Sequence, residues 1–72
     1  MSTYGLLIIS SIPDKGRFVW DGIKTRVFTY EEAMEELLPE ERSMYAICRF
    51  TPAICRMLRK DPSAKYFGPV IE

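Results

Sequence analysis

Seventy-two residues carry ten cations, ten carboxylates, no histidine and two cysteines, giving a net charge of zero. That length makes one domain (residues 1–72) with no room for a second, and a neutral chain names no polyelectrolyte partner. Two cysteines are too few for a disulfide scaffold, and without histidine a zinc site within one chain lacks ligands. The missing histidine also excludes an ordinary catalytic triad, and the four glycines are scattered singly, so no phosphate loop forms. No cofactor or metal is expected. The apolar run Leu6-Leu7-Ile8-Ile9 is too short for a signal core or a membrane span. The expectation is a cytoplasmic protein with reduced thiols and no membrane contact. A domain this small buries about 60% of its unfolded surface, so its stability is roughly 4–11 kcal/mol. Its aromatic side chains must supply much of the core.

Tyr4 to Ile12 reads as a strand whose unbroken aliphatic run suits cover on both faces. Pro13-Asp14-Lys15-Gly16 is a turn: Pro pre-sets φ and Gly closes it. Residues 17–28 follow as a hairpin around Asp21-Gly22, the pair favoured in two-residue type I′ turns. That turn sets Trp20 against Ile23, Val19 against Lys24, Phe18 against Thr25 and Arg17 against Arg26. One face then carries Phe18, Trp20, Ile23, Thr25 and Val27 toward the core. The other shows Arg17, Val19, Lys24, Arg26 and Phe28 to solvent.

Thr29 and Glu32 make a capping box, which opens a helix that Pro39 stops after about nine residues. Tyr30, Ala33, Met34, Leu37 and Leu38 form its buried stripe. Residues 40–50 are ambiguous: Pro39-Glu40-Glu41 suits a second helix start, while Met44 to Phe50 alternates as a strand. The strand is favoured, with Met44, Ala46, Cys48 and Phe50 inward. Thr51-Pro52 caps a second helix running through Lys60, with Ile54, Met57 and Leu58 on its apolar side. The tail from Lys65 to Glu72 is too hydrophobic to dangle, and either packs back or reaches a partner. Ala-Ile-Cys-Arg occurs twice, at 46–49 and 53–56, too little to establish a repeat. The fold expected is a small α+β domain. Three or four antiparallel strands carry one or two helices on one face, in the order β-β-β-α-β-α.

Charge is segregated along the chain. Residues 1–30 hold four cations and two anions, residues 31–41 six glutamates and no cation, and residues 42–72 six cations and two anions. Arg17 and Arg26, set across the strand pair, repel unless an anion answers them. The candidate contacts are therefore Arg17, Lys24, Arg26 and Phe28 on the sheet. Glu31, Glu35 and Glu36 form an oppositely charged strip through which copies could also pair. Tyr66 and Phe67 in the tail are a third candidate, as an arm that reaches a neighbour. The function expected is a non-enzymatic protein-binding module: an accessory subunit, regulator or inhibitor acting by surface complementarity. Size alone is compatible with an antagonist encoded by a virus or mobile element, by analogy only. The alternative is nucleic-acid binding through the basic sheet face with Arg56, Arg59 and Lys60. A homo-oligomer held by the tail is a third option.

Overall fold

The computed structural model describes residues 2–71; Glu72, counted with the tail above, lies outside them. Strand β1 (Tyr4–Ile8) pairs antiparallel with β2 (Tyr45–Arg49), setting Gly5 opposite Cys48 and Leu6 opposite Ile47. Between them lie α1 (Tyr30–Glu36) and a 3₁₀ turn at Pro39–Glu41, and α2 (Pro52–Lys60) follows β2. The class is α+β, as expected, but among the described residues the regular strands number two and the order is β1-α1-β2-α2.

Residues 17–28 account for the difference. They pair with the free edge of β1 only through isolated bridges, Leu7 to Phe18 and Tyr4 to Phe28. Ile8 N donates to Arg17 O at 2.8 Å and Val19 N to Leu6 O at 2.9 Å. Tyr4 and Phe28 then exchange both backbone bonds at 2.9 Å. The intervening residues 20–27 leave the edge as a finger. β1 is thus flanked on both sides, although only one neighbour is a regular strand.

The helices also differ from expectation, because they cover opposite faces of the pair. Successive strand residues point to opposite faces. Leu6 packs with Phe28, Ala33 and Leu37, while Leu7 packs with Phe18, Cys48, Ile54 and Leu58. The same alternation sends Tyr45 and Ile47 toward α1, and Ala46 and Cys48 toward α2. Met44, expected inward, stands 41% exposed just before β2. Both faces of β1 are covered, as its apolar run implied.

Local signals set the helix ends. Thr29 Oγ1 accepts from Glu32 N at 3.1 Å, and Glu32 Oε1 accepts from Thr29 N at 2.8 Å. This reciprocal pair satisfies two orphan N–H groups. Helix α1 ends at Glu36, before Pro39, and Pro39–Glu41 forms the 3₁₀ turn in place of a second full helix. Thr51 Oγ1 accepts from Ile54 N at 3.2 Å, with Pro52 in the first turn. The tail packs back: Tyr66 N donates to Gly16 O at 2.7 Å and Arg49 N to Ile71 O at 2.6 Å. The Tyr66 ring lies 6.1 Å from that of Phe18.

Gly5 permits the tightest part of the α2-side core. A Cβ there would stand 2.6 Å from Cε1 of Phe50 and 2.9 Å from Cδ1 of Phe18. Those two rings meet edge to face at 5.2 Å. The Gly5→Ala change should therefore destabilise the fold by about 1–3 kcal/mol through overpacking, measured by urea unfolding. An unchanged midpoint would contradict this packing.

Candidate docking surface

The finger takes its shape from the Asp21 side chain. Asp21 Oδ1 accepts from both Ile23 N and Lys24 N at 2.8 Å, while Asp21 N donates to Lys24 O at 3.1 Å. Trp20 pairs with Thr25, so the loop spans residues 21–24 in place of the expected two. A type I′ turn needs positive φ at both central residues, and here only Gly22 has it, at +94°. The carboxylate closes the wider loop by taking N–H groups that the tighter turn would direct elsewhere. Val19 accordingly faces Arg26, whose N donates to Val19 O at 3.0 Å.

A shift of two residues keeps the same side chains on each face. What changes is their burial, because the finger extends past the helices. Phe18 is fully buried, but Trp20, Ile23 and Val27 are 39%, 82% and 58% exposed. These three, expected in the core, stand in solvent. Phe28, expected outside, is buried in the cluster beneath α1.

The expected contact residues fall into separate groups. Arg17 pairs with Asp14 at 2.9 Å and lies opposite Lys65, away from Arg26. Arg26 pairs with Glu36 at 3.0 Å, its guanidinium 4.9 Å from the Phe28 ring centre. The expected repulsion between the two arginines does not arise, since each meets its own carboxylate. Arg26, Phe28, Glu35 and Glu36 border one polar hollow between finger and α1. Glu31 is exposed on α1, and Lys24 is exposed alone at the fingertip. Tyr66 is half-buried, its hydroxyl donating to Pro69 O at 2.6 Å, while Phe67 is 73% exposed.

The pattern of residue types missed the finger as an apolar projection. Alternation cannot distinguish a hairpin laid on a core from one extending beyond it. It also missed a hollow of about 210 Å³ at the finger's root, lined by Val27, Phe50, Cys55, Leu58 and Arg59. Beside it Arg56, Arg59 and Lys60 border a second depression along α2. The two ion pairs among the described residues use none of these three cations. Both cysteines are free thiols, Cys48 at the centre of the core and Cys55 at this hollow.

Two exposed carboxylates have pKa values held below the usual range. Backbone N–H bonds from Lys24 and Ile23 lower that of Asp21, and the Ser63 hydroxyl and N–H lower that of Asp61. No described helix is long and apolar enough to cross a membrane. No protein-family model, curated protein or solved structure matches the chain.

The Asp21 bonds yield a pH dependence. Because folding lowers this pKa, the ionised carboxylate stabilises the loop above its unfolded titration range. That contribution disappears as pH falls through the lower, folded value. Below the ordinary carboxylate range, amide exchange at Ile23 and Lys24 should rise relative to the core, and Asp21→Ala should raise it already at neutral pH. Protection that is independent of both pH and the substitution would contradict the closure. For the Arg26–Glu36 pair, both partners being nearly half exposed, a double-mutant cycle should return only about 0.2–1 kcal/mol. A coupling of several kcal/mol would contradict an exposed pair.

Proposed function

We propose that the chain is a small non-enzymatic protein-binding module, an accessory subunit, regulator or inhibitor acting by surface complementarity. The observation that supports this is the finger, where Trp20, Ile23 and Val27 are held out to solvent on a closed loop. Exposed apolar side chains grouped on one projection mark an interaction site. Tryptophan is among the residues that most often anchor protein interfaces, because one rigid side chain buries a large area. Val27 also lines the hollow beside α2, so the finger and that hollow form one continuous surface.

The docking surface proposed is therefore the finger with the adjoining flank of α2. Lys24 belongs to it, at the tip. Arg17 and Arg26 serve the fold through their carboxylate partners, and Phe28 anchors the finger's base in the core. Phe67 is a separate exposed site on the tail.

Nucleic-acid binding is the second reading, favoured by Arg56, Arg59 and Lys60 on α2, which form no ion pair among the described residues. Salt separates the two. Phosphate binding falls steeply with the logarithm of salt concentration, whereas apolar anchoring persists. The immobilised chain should capture a protein from lysate of its own source cells and hold it at about 0.5 M salt. Changing Trp20→Ser and Ile23→Ser together should abolish capture. The circular dichroism spectrum should stay unchanged, since exposed substitutions typically alter stability by only about 0.5 kcal/mol. Undiminished capture by that variant, or retention of nucleic acid alone and only at low salt, would overturn the reading.

A further inference from the structure

Building on the protein-binding reading, we propose that the finger and α2 flank of one copy dock on the α1 face of a second copy of this chain, giving head-to-tail association. The sheet keeps the two charged helices apart. Glu31 and Glu35 lie exposed on α1, and Arg56, Arg59 and Lys60 on α2, behind opposite faces of β1. The two ion pairs among the described residues, Arg17–Asp14 and Arg26–Glu36, use none of these five groups. Each molecule thus presents an unanswered negative side and an unanswered positive side, and the chain as a whole is neutral.

Shape agrees with charge. The positive side includes the flank of the projecting finger that carries Trp20 and Val27, Trp20 pairing with Thr25 and Val27 lining the hollow with Leu58 and Arg59 of α2. The negative side has a hollow of about 230 Å³ lined largely by Tyr30, Met34, Leu37, Ile47 and Val70, with the cationic Arg42 also in its lining. A projecting apolar element on one side meets an apolar recess on the other. Tyr30 and Val70 at that recess are 42% and 44% exposed, so apolar surface is available to be covered. A two-fold dimer through either helix would set like charges against each other, whereas a heterologous contact sets the acidic and basic sides together. An interface of about 600 Å² per copy is the small end of specific contacts and would take roughly an eighth of the 4934 Å² surface. Such a contact is weak and sensitive to salt. It does not close on itself unless the rotation between copies completes a ring.

Sedimentation velocity across a concentration series tests this. At about 50 mM salt the mass should rise above the 8.4 kDa monomer with concentration, and at about 500 mM the same rise should need a higher concentration, because salt screens the charged part of the contact and leaves the apolar part. Reversing α2 (Arg56→Glu, Arg59→Glu, Lys60→Glu) should weaken association about tenfold or more, as should reversing α1 (Glu31→Lys, Glu35→Lys). A chain carrying all five substitutions should regain it, because the charges are exchanged but still complementary. Circular dichroism confirms that each variant is folded. Monomeric mass at low salt, a salt-independent dimer, or a five-substitution chain that stays monomeric would overturn the proposal. So would a wild-type chain that gains mass only on a single-stranded oligonucleotide. A monomer that still captures a foreign protein through Trp20 and Ile23 would overturn self-association alone; loss of the finger's effect on capture would overturn the broader reading instead.

Discussion

The structure depends on one strand being buried on both sides. Leu6 and Leu7 are neighbours in β1, and each sits in a different core cluster, one closed by α1 and the other by α2. A domain of this length has a thin core, and here it is divided into two layers on a shared strand. Everything exposed follows from that arrangement. The acidic helix and the basic helix are forced apart, and the finger is left beyond the edge of both layers.

Parts of this were legible in the residues. Thr29 with Glu32 and Thr51 with Pro52 mark their helices because side chain and backbone satisfy each other within a few residues, with no distant partner required. The run from Met44 to Phe50 was legible as a strand by alternation, although its two faces turned out to be covered by different helices. The aliphatic run of β1 implied cover on both sides, yet both helices were expected on one face. That mismatch explains Phe28: an outward place on a one-faced sheet becomes a buried place once α1 covers the second face.

The finger was illegible for a different reason. Asp-Gly favours a two-residue turn in general, but the Asp21 carboxylate here accepts two backbone N–H groups and closes a longer loop. Propensity describes the backbone's preference; the side chain's competing bonds decide the outcome. The candidate surface shifted with it. Arg17 and Arg26 found Asp14 and Glu36, pairings that span 3 and 10 residues, and only the second depends on how the finger meets α1. Segregation of charge along the sequence was readable at once. That it becomes segregation in space was not, since this depends on which face each helix takes.

The proposed interactions rest on this division of β1, and a direct measurement of it is side-chain proximity in solution. Nuclear Overhauser spectra should connect the Leu6 methyls to Ala33 and Leu37, and the Leu7 methyls to Ile54 and Leu58. Cross-peaks from both leucines to the same helix would contradict the two-layer fold and the separation of charge built on it.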